Sequence, residues 1–164
     1  MVVGSSGQLG SEITDLHSKY RSYSFTFLKR NDLDISCLNS LEKFLSNNKI
    51  DVIINCAAYT NVVNAEVEIE EAKTANVHGV YNLSVVAKNF SIKLIHISTD
   101  CVFDGKKNSP YIETDETNPV NIYSKTKLDG EIAMLSVNPE NSIIIRTSWV
   151  YSKYGINFVK TMLN

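Results

Sequence analysis

Cysteine is scarce in this chain of 164 residues, an excess of charge of either sign is nearly absent, and no apolar run is long. The three cysteines, Cys37, Cys56 and Cys101, are scattered and odd in number. They form no CxxC pair, which argues against a disulfide framework or a zinc site and for a reducing, cytoplasmic compartment. His17, His78 and His96 show no ligand spacing and read as structural. A net charge of −2 supplies no field for nucleic acid or an anionic membrane surface. No stretch approaches the roughly 20 apolar residues of a membrane span, and Met1 leads straight into "VVGSSG" with no basic-then-apolar leader. Internal repeats, low-complexity tracts and domain linkers are also missing. What is there suits a soluble single domain, with 43% hydrophobic and 21% charged residues.

Short β-rich apolar runs alternate with longer helical patterns. Strands are expected at "MVV", 22–28, 51–58, 92–98 and 142–150. Helices are expected at 8–20, 38–48, 65–89 with a break near Glu68–Glu70, 123–135, and from "INFVKTMLN" onward. A loop rich in Asp, Asn, Gly and Pro covers 104–122. Continuous apolar strands alternating with helices indicate a parallel sheet covered on both faces. Right-handed crossovers then give a doubly wound α/β layout. The first strand is a stub and the last helix has no cap or following strand, so residues 1–164 are expected to be part of a longer chain.

Gly4, Gly7 and Gly10 form G-x-x-G-x-x-G between the first strand and the first helix. Glycine at such a turn lets the backbone approach a pyrophosphate, and the helix N-terminus adds N–H groups and a positive dipole. A dinucleotide is therefore expected there. Lys29 lies 22 residues after Gly7, near the place where an acid would bind the ribose hydroxyls of NAD. Lys29 and Arg30 stand there instead and suit a 2′-phosphate, so NADPH is favoured and NADH stays open. The plainer alternative is a solvated basic pair. Asp34 and Ile35 are placed to flank the adenine. "NCAAYT" (55–60) ends the third strand in small residues that let a cofactor lie across it.

Among 8 tyrosines, Tyr123 has a lysine four residues on, Lys127, on the same helical face. An ammonium beside a phenol is expected to lower its pKa toward working pH and make it a general acid for a carbonyl oxygen receiving hydride. Thr99, at the end of the preceding strand, is placed to donate a second hydrogen bond to that oxygen, and Lys127 to hold the nicotinamide ribose.

These residues in this order resemble the extended short-chain dehydrogenase/reductases, which carry a Rossmann-like NAD(P)-binding domain. "GSSGQLG", "NCAAYTNV", "STDCVFDG", "YSKTKLDGE" and "RTSWVYSKYGINFVKTML" narrow the resemblance, over nearly the whole chain, to the dTDP-4-dehydrorhamnose reductase family. The resemblance implies NADPH-dependent reduction of the C4 ketone of dTDP-4-dehydro-L-rhamnose to dTDP-L-rhamnose, a nucleotide sugar used for cell-surface polysaccharide. It makes Tyr123 the proton donor, Lys127 its partner and Thr99 the ligand of the keto oxygen. Gly7, Gln8 and Leu9 would contact the cofactor phosphates, Asp34 and Ile35 the adenine, and Ala58, Tyr59 and Thr60 the length of the cofactor. Asn76 matches a helical asparagine that supports the site and is counted among the cofactor-binding residues. Val62 and Trp149 match positions lining the substrate pocket, although core packing accounts for a tryptophan equally well. Some members are homodimers binding Mg²⁺ between subunits through glutamates. Glu12 matches one such position, and its partners would lie beyond residue 164.

Three departures stand out. Cys101 replaces the tyrosine of the family's STDYVF, so a ring that would hydrogen-bond the sugar or its phosphate becomes a small thiol in the substrate pocket. Val63 and Asn64 replace an acid and a base. The family is also nearly twice this length, and the remainder supplies the last strands and most of the sugar-nucleotide pocket. Cofactor binding is therefore expected to outlast catalysis in this chain, and the edge at 142–150 to be exposed. Two other functions fit the same fold: a non-catalytic regulatory subunit, or a nucleotide-sugar epimerase or dehydratase.

Overall fold

The computed structural model describes residues 1–163; the last position of the helix expected at 156–164 lies outside them. Five parallel strands are β1 (Val2–Val3), β2 (Phe27–Leu28), β3 (Val52–Asn55), β4 (Lys93–Thr99) and β5 (Ser142–Thr147). Their order is β2-β1-β3-β4-β5. The order reverses between β1 and β3, where a doubly wound sheet opens a crevice at the carboxyl ends of its strands. The helices are α1 (Gln8–Leu16), α2 (Leu38–Asn47), α3 (Ile69–Lys73), α4 (Gly79–Asn89), α5 (Ile122–Val137) and α6 (Phe158–Leu163).

Helices α2, α4 and α5 pack side by side. Beneath them runs one covered sheet face, whose residues follow from the register. Ile53 pairs with Leu94, Asn55 with His96, His96 with Ile144 and Ser98 with Arg146. The N-terminal half of this face is apolar and joins Leu41, Val80, Leu83 and Met134 in the core. The C-terminal half carries Asn55, His96, Ser98 and Arg146, so the polar part of the interior lies toward the crevice. On the opposite face Ile143 and Ile145 are 58% and 44% exposed. Among the described residues β5 is the last strand on its side of the sheet.

Of the glycines required by close approach, two position the site. Gly4 has φ +73°, and a Cβ there would stand 2.5 Å from the Ala57 nitrogen, so only glycine lets β1 turn into α1 beside β3. A Cβ on Gly130 would stand 2.1 Å from the Asn76 carbonyl oxygen. Its bare backbone lets α5 lie directly on the helical segment of residue 76.

Some boundaries differ from the sequence reading. Of 22–28, only Phe27–Leu28 joins the sheet; Phe25 and Phe27 stack at 5.6 Å and meet the His17 ring instead. The third strand stops at Asn55, and 56–59 leaves the sheet to border the crevice. The 65–89 helix breaks at Val67–Glu68, as expected, and then passes through a π-helical turn at Thr74–His78.

Candidate active site

At the switch between β1 and β3 lies a cleft of about 660 Å³. Gly4, Ser6 and Gly7 form one wall, and Arg30, Asp34 and Ile35 another. Cys56 to Tyr59 form the floor, with Glu68, Glu71, Thr74 and Ala75 at the far rim. No side chain caps the N-terminus of α1 at Gly7, which leaves backbone donors and positive dipole toward the cleft. This fits the pyrophosphate of a dinucleotide. Asn82 on α4 sets the second wall, donating to Ile35 O at 3.1 Å and Ser36 O at 2.9 Å. Its role was not visible in the sequence, where it is one polar residue on a long helix.

The expected cofactor residues fall into two groups. Gly4, Gly7, Arg30, Asp34, Ile35, Ala58 and Tyr59 line the cleft; Lys29 and Thr60 are not among its walls. Lys29 points to solvent, and its backbone N–H donates to Asp32 at 2.9 Å. Arg30 is loosely paired with Asp34 at 3.7 Å and stays largely exposed. Asp34 accepts from the Ser36 N–H and hydroxyl at 2.9 and 2.7 Å, so one of its oxygens already serves the loop. These hydrogen bonds and Arg30 hold its carboxyl below the usual range. Leu9 and Gly10 sit in the first turn of α1, Gly10 buried under the glycine loop. The Gln8 side chain turns away to Val150 O at 3.0 Å and to Asn157 at 3.1 Å.

Asn76 does not reach the cleft, contrary to its expected cofactor contact. The π-turn directs it inward, where it is 0% exposed. Its Oδ1 accepts from Tyr59 N–H at 2.9 Å, and its Nδ2 donates to Tyr59 O at 3.1 Å and Thr126 Oγ1 at 3.0 Å. It ties the cleft floor to α5.

Helix α5 starts at a fixed point. The Asn121 side chain accepts from Ser124 N–H at 2.8 Å, and Glu66 accepts from Ile122 N–H at 2.9 Å. This holds Tyr123 beside Thr99 at the end of β4. Burial pushes the Tyr123 phenol above its ordinary value; charge on Cys101 adds to this, and a hydrogen bond with Thr99 opposes it. The expectation that Lys127 lowers Tyr123 is therefore corrected. Lys127 is 2% exposed and spends its reach on β4, donating to Ile97 O at 2.7 Å with Nζ 3.4 Å from His96 Nε2. Burial pulls Lys127 down to about 8, against the charge of Glu131. Without a ligand, the Thr99 hydroxyl donates to Asp100 Oδ1 at 3.2 Å and accepts from Cys101 N–H at 3.1 Å. Asp100 in turn accepts from Ser148 at 2.5 Å, linking the ends of β4 and β5.

Cys101 is exposed on the turn after β4, close enough to act on Tyr123. Val62 is 43% and Trp149 74% exposed, so Trp149 is not a core residue. Trp149 packs edge-on to Phe158 at 5.0 Å with φ +52°. Beneath α5, Glu131 is clamped by Arg146 at 2.7 Å and by the Ser98 hydroxyl. Among the described residues no three metal-ligating side chains gather, and no helix is long and apolar enough to cross a membrane.

The family model for the RmlD substrate binding domain matches residues 1–164. The chain is 42% identical over 163 residues to dTDP-4-dehydrorhamnose reductase of Aggregatibacter actinomycetemcomitans, covering 99% of this chain and 55% of that protein. It is 36% identical to dTDP-4-keto-6-deoxy-D-glucose reductase of Streptomyces niveus, covering 99% and 56%. A crystal structure of dTDP-4-dehydrorhamnose reductase from Bacillus anthracis in complex with NADP superposes with a TM-score of 0.94 at 36% identity, covering 99% of this chain and 57% of that one. The chain thus spans about half the length of the curated relatives it matches. With matched residues running from the glycine loop through α5 to α6, this chain belongs to the dTDP-4-dehydrorhamnose reductase (RmlD) family of extended short-chain dehydrogenase/reductases.

Proposed function

We propose that this chain is the NAD(P)-binding part of a longer cytoplasmic reductase that converts the C4 ketone of dTDP-4-dehydro-L-rhamnose to the alcohol of dTDP-L-rhamnose, using NADPH. The observation that carries the reading is the gathering of Thr99, Tyr123 and Lys127 at the carboxyl end of β4, beside a cleft floored by the strand ends and walled by the glycine loop. When bound, the nicotinamide supplies the hydride. The uncapped α1 terminus would hold the pyrophosphate, and Arg30, exposed and weakly paired, would take a 2′-phosphate. Asp34 and Ile35 would border the adenine. Tyr123, kept protonated by burial, would give its phenol proton to the oxygen that becomes the alkoxide. Thr99 would exchange its hydrogen bond to Asp100 for one to the same oxygen. Val62, Cys101 and Trp149 would meet the sugar nucleotide together with residues beyond 164.

The first experiment is a fluorescence titration with NADPH and NADH. NADPH should bind more tightly, and Arg30→Glu should reverse the order. No binding of either at about millimolar concentration, well above usual cofactor affinities, would sink the reading. Adding dTDP-4-dehydro-L-rhamnose, and separately dTDP-4-keto-6-deoxy-D-glucose, then separates the two sugars named among the relatives. Fast turnover by residues 1–164 alone would contradict the expectation that the rest of the pocket lies outside them.

A further inference from the structure

Behind the reactive groups, three buried side chains form a line from the cleft floor to Lys127. Asn55 is 1%, His96 0% and Lys127 2% exposed. The hydrogen bonds fix where each proton lies. Ala57 N–H donates to Asn55 Oδ1 at 3.0 Å, so that atom of the amide must be oxygen. Nδ2 is then the Asn55 atom that meets His96 Nδ1 at 3.0 Å, and it can only donate. His96 Nδ1 is therefore the bare acceptor, and the ring proton sits on Nε2. That proton faces Lys127 Nζ at 3.4 Å.

An ammonium has donors only, so Nε2–H and a charged Lys127 would set donor against donor in a dry interior. A neutral amine resolves the conflict: its lone pair accepts from Nε2–H while one N–H still donates to Ile97 O at 2.7 Å. An imidazolium is worse, because it would place a second proton against the Asn55 amide and a charge beside Lys127. The other groups around Lys127 do not reverse this. Tyr123 and Glu131 flank it on α5, and Glu131 is neutralised by Arg146 from β5 and bonded to Ser98. Asn76 on the π-turn is uncharged, and Asp100 lies beyond Thr99 toward solvent.

We propose that His96 is a positioning residue for Lys127: locked by Asn55 with its proton on Nε2, it biases Lys127 toward the neutral amine in the cofactor-free site. This deepens the reductase reading and rests on it for any effect on turnover. The ammonium is favoured once a new acceptor, such as a ribose hydroxyl, reaches Nζ from the cleft side. The low proton affinity of both buried groups agrees with this arrangement.

The test is ¹⁵N NMR of the His96 ring in the full chain, between about pH 6 and 9, which brackets ordinary histidine titration. The expected result is a protonated Nε2 and bare Nδ1 throughout, with the Nε2 resonance shifting at a midpoint near about 8 as Lys127 ionises. That midpoint should vanish in Lys127→Met. In Asn55→Asp a carboxylate faces Nδ1, draws the proton to it and bares Nε2 toward Lys127, so the midpoint should rise by at least about one pH unit, a tenfold change. A proton on Nδ1 in the unaltered chain, an imidazolium at neutral pH, or an unmoved midpoint in folded Asn55→Asp overturns the proposal. If Asn55→Asp does not fold, the unaltered ring and Lys127→Met decide alone. NADPH titration of the same samples keeps the two readings apart: lack of binding with the expected ring state rejects the reductase and leaves the His96 assignment standing.

Discussion

The two faces of the sheet near β4 and β5 treat their side chains in opposite ways. Under α5, Asn55, His96, Ser98 and Glu131 are buried, yet each has a hydrogen-bond partner. On the other face and beyond it, Ile143, Ile145, Trp149, Ile156 and Leu163 are apolar and exposed, Ile156 at 95%. A sheet of parallel strands is normally covered on both faces. The contrast separates two tasks. The covered side buries polar and titratable groups that hold each other in place. The apolar side instead presents surface that no described element covers.

Four experiments press on that contrast. The largest effect is expected from Arg146→Ala, which leaves Glu131 buried with only the Ser98 hydroxyl donating to it and Lys127 nearby on the same helix. Breaking a buried pair from one side costs about 3–5 kcal/mol, so the urea midpoint should fall steeply; a shift like that of a surface variant would show that the covered face admits water. Next, Asn76→Ala strips partners from Tyr59 N–H and Thr126. A loss of about 1–3 kcal/mol is expected, with weaker NADPH binding, because Tyr59 forms part of the cleft floor.

The third is a pH series. His96 binds a proton far less readily when folded than its ordinary pKa of 6.5. Below that value the unfolded chain takes up a proton that the folded chain refuses, so stability should fall on acidification by up to about 1.4 kcal/mol per pH unit. Lys127 acts in the window from about 8 to its ordinary 10.5. There the folded chain has lost the proton and the unfolded chain keeps it, so this group raises stability as pH rises. Chemical denaturation at pH 5, 7 and 9, which enters both windows, checks both signs. The smallest effect belongs to the open face. Ile145→Lys should change stability by no more than about 0.5 kcal/mol while reducing self-association in sedimentation velocity, since exposed apolar edges invite pairing.

The alternation of strands and helices was legible because the runs of β3, β4 and β5 are apolar and α1 and α2 keep a helical period. The glycine loop was legible because its spacing is local. Tyr123 and Lys127 were found for the same reason, one helical turn apart. The direction in which Lys127 points was not, since Ile97 and His96 reach it from another element. His96 read as merely structural because its partners lie 41 and 31 residues away. Asn76 was assigned to the cofactor on a pattern, but the π-turn that rotates it inward leaves no trace in hydrophobic period. Strand ends were overrun at 56–58 because small residues that floor a cleft look like residues that continue a strand.

The missing side chain at position 130 has a mechanical consequence. Gly130 is the fulcrum on which α5 rests against the π-turn, and Tyr123 lies about two helical turns up the same rod. Any wedge at the fulcrum, even one methyl group, swings the far end. Gly130→Ala should therefore act at a distance, displacing Tyr123 and Lys127 from the end of β4 while the walls of the cleft keep their shape.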